Sequence, residues 1–246
     1  MPSSLNPLPS TLILMKKLII ANWKLNPTSL AEAQKLAAAI GHAKKNTVVL
    51  CPPAVYLSQV DYPNLGAQDC FWQDKGPYTG QVSPLQLKSL GVKYCIVGHS
   101  EKRAVGETDG QVNFKIRALL EHKITPVLCV GFGTTVEQDD LEVVDVLRSQ
   151  LDICLQGVDA SKVVVAYEPV WAISSGNSIG HRTPSPEHAE KIAIFIKSRY
   201  GAGKVIYGGS ANVMNARSFL SQMNIDGILP GADSLIADHF NQIINY

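Results

Sequence analysis

No stretch of the chain reaches the roughly 18 apolar residues of a membrane-crossing helix, and neither sign of charge is in excess. Lys and Arg number 22 against 21 Asp and Glu, a net charge of +1. That balance argues against nucleic acid as the main partner, because phosphate backbones are held by clustered Lys and Arg. Lys16-Lys17 and Lys44-Lys45 are the only adjacent basic pairs of one residue type, and a solvated face accounts for both. The five cysteines are odd in number and no two stand at CxxC spacing. Cys51, Cys95 and Cys129 lie inside apolar, β-branched runs, where a thiol acts as a small hydrophobe. They read as reduced thiols of a cytoplasmic protein. The six histidines show no HExxH spacing and there is no zinc cysteine pair, so no metal is expected. P-loop and GxSxG motifs are missing too. Gly131-Phe132-Gly133 lacks the third glycine of a dinucleotide fingerprint.

Residues 1–14 hold no basic residue, and so lack the charged start of a signal peptide. They are rich in Ser, Pro and Leu and precede a second methionine, Met15. The expectation is a disordered extension over 1–14 and one folded domain over 15–246.

What the chain does contain is ample apolar material: 46% hydrophobic residues against 17% charged over 246 positions. A chain of this size buries roughly 70–75% of its unfolded surface and needs no staples. Eight short apolar runs recur: Leu18–Asn22, Thr47–Cys51, Leu65–Gln68, Tyr94–Gly98, Pro126–Gly131, Val163–Glu168, Val205–Gly209 and Gly227–Leu229. Most lack polar alternation, the pattern of strands covered on both faces of a parallel sheet.

Helical segments fall between them. Ser29 and Glu32 form a capping-box pattern ahead of Leu30, Ala33, Ala37 and Ile40 on one face. Ser185-Pro186-Glu187 starts another helix, with proline where a missing N–H does no harm. Others are expected near 84–90, 109–122, 137–156, 212–222 and 235–244, and one or two turns over Pro53–Val60. Strand then helix, eight times, predicts an α/β (β/α)8 barrel. The competing doubly wound open sheet usually has fewer strands and a Gly-rich first turn. Here that turn reads Asn22-Trp23-Lys24-Leu25-Asn26.

The site of a parallel barrel lies at the carboxyl ends of its strands. The first strand ends in Asn22 and Lys24, the fourth in His99 followed by Ser100 and Glu101, the sixth in Glu168. Gly208-Gly209-Ser210 and Pro230-Gly231-Ala232-Asp233 follow the seventh and eighth, offering backbone N–H groups where such barrels hold phosphate. Taken singly, Lys24 reads as a solvated charge, His99 as a satisfied histidine and the glycines as turns. Glu168 resists that treatment: it ends an apolar run against Pro169, where an idle carboxylate would carry a burial cost. The other histidines (His42, His122, His181, His188 and His239) fall on predicted helices or loops.

Four motifs then carry a family resemblance: Ala21-Asn22-Trp23-Lys24-Leu25-Asn26, Val97-Gly98-His99-Ser100-Glu101-Lys102-Arg103, Ala166-Tyr167-Glu168-Pro169-Val170-Trp171-Ala172-Ile173 and Tyr207-Gly208-Gly209-Ser210. In this order, each at its strand end, they make the chain resemble the triosephosphate isomerases from Met15 to Tyr246. The resemblance implies interconversion of dihydroxyacetone phosphate and glyceraldehyde 3-phosphate without a cofactor. It assigns Glu168 as base, His99 as neutral electrophile and Lys24 as the fixed cation, held by Glu101. These roles are the family's own worked chemistry, inherited here through the motifs. Asn22, Lys24, Ser174, Ser210, Gly231 and Ala232 are the implied substrate-binding positions. A homodimer is implied through the loop Gly76-Pro77-Tyr78-Thr79-Gly80-Gln81 around Thr79. The helix start after His99 would favour the neutral imidazole by its positive dipole end.

The chain departs from the family pattern in several places. Ser174-Ser175-Gly176-Asn177 stands for Gly-Thr-Gly-Lys in the expected lid, which then runs on to Arg182. Phe132 and Gln81 each replace a glutamate, Asp69 an asparagine and Ala232 a glycine. Two readings therefore stand side by side: an active isomerase, or a phospho-ligand-binding homologue that has lost turnover. The intact Lys24, His99 and Glu168 favour the first, since a binder has no use for the base.

Overall fold

The computed structural model describes residues 16–172 and 183–246. The expected extension over 1–14 and the expected lid, Ser174 included, lie outside the described residues. Eight strands form in chain order: β1 Leu18–Asn22, β2 Thr47–Cys51, β3 Gly66–Ala67, β4 Tyr94–Val97, β5 Thr125–Val130, β6 Val164–Tyr167, β7 Lys204–Tyr207 and β8 Gly227–Ile228. The strands pair in parallel, and β1 lies between β2 and β8. The sheet order runs β2-β1-β8-β7-β6-β5-β4-β3, and a bridge from Leu50 to Leu65 joins its two ends. The sheet is a (β/α)8 barrel, not an open one.

Alternation along the strands splits the core into two layers. Leu18, Ile20, Val49, Ile96, Val127, Val164, Ala166 and Ile206 cluster inside the barrel. Ile19, Ala21, Val48, Leu50, Val97, Leu128, Val165 and Tyr167 pack outward with the helices. Tyr207 stacks on Phe219 with ring centres 3.9 Å apart and planes 7° from parallel, a contact worth about 0.5–1.5 kcal/mol beyond its buried area.

The helices are α1 Leu30–Ala39, α2 Pro84–Ser89, α3 Ser100–Ala104, α4 Asp109–Glu121, α5 Asp140–Cys154, α6 Pro186–Tyr200, α7 Ala216–Leu220 and α8 Ala237–Ile244. Their starts are chemically marked. Ser83, Thr108 and Asp139 close full capping boxes at α2, α4 and α5. At α1 only half of the expected box forms: Ser29 accepts from the Glu32 N–H at 3.3 Å. Ser185 caps α6, with Pro186 in its first position.

Several expected ranges contract. α5 starts at 140 because Gln138 turns back to accept from the Thr135 N–H and Asp139 serves as cap. α7 starts at 216, not 212, because the Asn212 side chain accepts from the Met214 and Asn215 N–H groups, a local turn that competes with helix. The expected 235–244 helix divides at Ile236 into a 3-10 turn over Ala232–Leu235 and α8. Over Pro53–Val60 the chain makes one 3-10 turn, Ala54–Tyr56.

Candidate active site

Asn22, Lys24, His99 and Glu168 leave the ends of β1, β4 and β6 and meet on one rim, as their strand positions require. Glu168 is 1% exposed. Its backbone N–H donates to the Val130 carbonyl at 2.7 Å, and its Oε2 accepts from the Ser100 N–H at 3.3 Å. Oε1 lies 3.4 Å from His99 Nε2 but out of line for a hydrogen bond, and has no partner among the described residues. A buried carboxylate with one unengaged oxygen has a lone pair to offer a substrate.

Two glycines make room for it. A Cβ on Gly131, whose φ is +118°, would stand 2.4 Å from the Glu168 carbonyl oxygen, and one on Gly208 would stand 2.7 Å from its Cγ. Beneath lies Cys129, whose thiol is pushed well up by burial first and by the Glu168 carboxylate second.

His99 caps α3. Its Nδ1 accepts from the Glu101 N–H at 3.2 Å, as the expected helix start requires. An accepting Nδ1 carries no proton, so the ring's N–H is Nε2, which faces Glu168 and the pocket. The peptide before His99 is gripped from both sides: the Gly98 N–H donates to Glu107 at 3.1 Å, and Arg103 Nε donates to the Gly98 carbonyl at 2.7 Å. Gly98 has φ +69°, a conformation that glycine adopts without steric cost.

Lys24 is itself in the left-handed region, with φ +52°. Such a conformation is uncommon without glycine and persists where the surroundings over-determine it. Here the Lys24 N–H donates to Asn22 Oδ1 at 3.1 Å, and its carbonyl accepts from Gln68 Nε2 at 2.8 Å. Gln68 also donates to the Cys51 carbonyl at 2.8 Å, tying the ends of the first three strands together. The Lys24 ammonium lies 2.7 Å from Glu101 Oε1, the pairing expected from sequence.

A cavity of about 120 Å³ opens beside these groups, lined by Lys24, His99, Gly209, Ser210, Gly231 and Ala232 among others. No acceptor among the described residues takes the N–H groups of Gly209, Gly231 or Ala232. The Ser210 N–H is engaged, donating to the Ala172 carbonyl at 2.8 Å. A second cavity of about 400 Å³ adjoins it, lined by Asn22, Lys24, Gln68, Asp69, Gln81 and Glu101 among others.

The structure thus brings together every described residue singled out from sequence. Gln68, Gly131, Cys129, the Ser100 N–H and the Glu107–Arg103 grip are additions. Gln68 had a legible signal, since it closes the third apolar run exactly where a strand end should present a side chain. The others act through backbone or packing and leave no mark in residue type.

A (β/α)8 barrel with a buried carboxylate and imidazole at its carboxyl rim, beside a lysine and backbone donors, defines a barrel enzyme suited to acid–base chemistry on a small anionic molecule. The sequence comparisons narrow that class. The family model described as triosephosphate isomerase matches residues 17–246. A triosephosphate isomerase of Thermoanaerobacter sp. strain X514 is 40% identical over 94% of this chain and the whole of that relative. Those of Trichodesmium erythraeum and Paracidovorax citrulli are 38% and 41% identical, over 94% and 93% of this chain and 100% and 97% of theirs. The chain belongs to the triosephosphate isomerase family and is an isomerase.

Proposed function

We propose that this enzyme interconverts dihydroxyacetone phosphate and D-glyceraldehyde 3-phosphate through an enediolate. Glu168 is the base, His99 the electrophile and Lys24 the electrostatic stabiliser. An aldose–ketose isomerisation takes a proton from one carbon and returns it to the next. Glu168, with an unengaged oxygen, abstracts the first proton. The electron pair of the broken C–H bond forms the C=C bond, and the carbonyl π pair moves onto oxygen. The charge developing there meets the Nε2–H of His99, with Asn22 as an additional donor. Preorganised donors of this kind are worth about 10²–10³ in rate each. After a proton moves between the two oxygens, Glu168 returns its proton to the neighbouring carbon.

Lys24, steadied by Glu101, supplies positive charge to oxyanion and phosphate. The phosphate group rests against the turns at Ser210 and at Gly231-Ala232, with Ser174 completing the cradle. No cofactor enters this scheme. The folded domain is 15–246, its compartment the cytoplasm and its assembly a homodimer through the loop around Thr79. Five buried free cysteines support the reducing compartment.

One observation carries the reading: Oε1 of Glu168 lies 3.4 Å from His99 Nε2 and takes no hydrogen bond among the described residues. A ligand-binding homologue without turnover gains nothing from such a group. The test is a coupled assay of glyceraldehyde 3-phosphate turnover by the purified protein. Phosphate-competitive binding with no turnover would reverse the conclusion.

A further inference from the structure

Tyr167 is the last residue of β6 and Glu168 follows it, their side chains turned to opposite sides. Glu168 turns into the barrel mouth, and Tyr167 turns outward among the helices, 1% exposed. The hydroxyl of Tyr167 meets His188 Nε2 at 3.0 Å. His188 sits in the first turn of α6, the helix by which the chain returns after leaving β6. Its Nδ1 lies 2.8 Å from Asp140 Oδ1 at the start of α5, and Asp140 Oδ2 takes the Lys191 ammonium at 2.8 Å. With a carboxylate at Nδ1, the ring proton sits on Nδ1 and the bare Nε2 accepts from the phenol. Burial, then the Asp140 charge, push the Tyr167 phenol up, so it remains a donor.

This chain of contacts reaches the strand end from outside the barrel. The Tyr167 carbonyl accepts from the Gly208 N–H at 2.8 Å, and the Glu168 N–H donates to Val130, so the backbone there is held by its neighbours in the sheet. The side chain of Tyr167 adds a further anchor on the outer side, its hydroxyl bonded to His188. The Tyr167–His188 bond also joins residue 167 to residue 188, the two ends of the excursion between β6 and α6. We propose that His188 is a positioning residue for the isomerisation: through the Tyr167 hydroxyl it fixes the strand end that carries Glu168. The proposal rests on the reading of Glu168 as the base. It asks nothing of His188 at the substrate: the ring's hydrogen bonds go to Tyr167 and Asp140.

Tyr167→Phe removes one buried oxygen and leaves the volume in place. His188→Leu removes both ring nitrogens. His188→Gln keeps an acceptor for the phenol and a donor for Asp140. Displacing a reacting group by about 1 Å can cost about 10²-fold, so the partial loosening expected of Tyr167→Phe and His188→Leu lowers kcat about tenfold. KM and the inhibition constant of inorganic phosphate stay within about twofold, because the interaction lost acts only on the chemical step. The primary deuterium isotope effect on proton transfer rises in both variants, and His188→Gln recovers most of kcat.

Glu168→Asp serves as the control. If it loses turnover while Tyr167→Phe and His188→Leu change only the melting temperature, the network is a staple between α5, α6 and β6 and the proposal is wrong. A His188→Gln variant as slow as His188→Leu overturns it equally. If Glu168→Asp itself turns over normally, the failure belongs to the reading of the base.

Discussion

Glu101 serves two neighbours at once: its backbone N–H donates to His99 Nδ1 at 3.2 Å while its carboxylate holds the Lys24 ammonium at 2.7 Å. One residue thus sets the tautomer of the proposed electrophile and the place of the proposed cation. The carboxylate is 54% exposed, so its worth is in aiming Lys24 more than in stability, as for other solvated pairs.

Lys24→Met keeps much of the aliphatic stem and removes the charge. Turnover and affinity for inorganic phosphate should fall together. The measurements are kcat/KM and phosphate inhibition. A variant that melts earlier but turns over and binds normally would return Lys24 to the role of a surface charge.

Glu168→Asp draws the carboxylate back by one methylene and should cost about 10²-fold in kcat. Gly208→Ala approaches the same carboxylate from the other side. The added methyl would stand 2.7 Å from Glu168 Cγ, so the side chain must shift although its chemistry is unchanged. A Gly208→Ala enzyme with wild-type kcat would mean that the position of Glu168 does not matter to the rate.

Lys115 is buried between Asp69 and Glu107, with Asp69 Oδ1 at 2.5 Å and Glu107 closer still. Burial opposes its charge, but the two carboxylates outweigh burial and its pKa is raised. Lys115→Met takes the cation from between two acids, leaving Glu107 buried beside an Asp69 that keeps only Lys102 at 3.0 Å, and should cost about 3–5 kcal/mol in urea unfolding. Asp69→Asn should cost far less, because Glu107 remains. Equal losses would mean that Asp69 is the principal partner.

Asp140 is held below the ordinary carboxylate value of 3.8, first by Lys191 and then by His188. A lowered folded-state value adds stability that is complete above the unfolded value of about 4 and is lost as pH falls through the folded one. The gap in melting temperature between wild type and Asp140→Asn should therefore be steady near neutrality and close in acid below about pH 4. Its size should be small, since the side chain is 46% exposed. A gap that widens with acid would contradict the sign.

Light scattering at micromolar protein should return about twice 26.6 kDa. A fully active species of monomeric mass would remove the homodimer from the proposal.

The barrel is legible because strands covered on both faces write unbroken apolar runs: six of the eight runs contain their strand whole, and β5 and β7 each start one residue ahead of theirs, at Thr125 and Lys204. β3 is shorter than its run, Gly66–Ala67 within Leu65–Gln68, because the side chain of Gln68 bonds to the Lys24 and Cys51 carbonyls. α3, Ser100–Ala104, has no apolar period to announce it; the only sign was the helix start expected after His99. Asn22, Lys24, His99 and Glu168 are legible because each stands at or just past a strand end. His188 is not, since an isolated histidine on a helix carries no sign of the phenol and carboxylate that meet it in space.

Lys24 and Gly231 are separated by most of the chain, yet a Cβ on Gly231 would lie 3.5 Å from Lys24 Cε. They come together because β1 takes β8 as a neighbour. During synthesis the first strand leaves the ribosome long before the last. The ring cannot shut until residues 227–228 are free to slot in beside Leu18 and Ile19. A nascent chain that already holds Lys24, His99 and Glu168 therefore lacks the half of the proposed anion cradle assigned to Gly231 and Ala232. On that proposal such a chain has no finished site to work with until residues 227–232 emerge, so the onset of turnover doubles as a clock for ring closure.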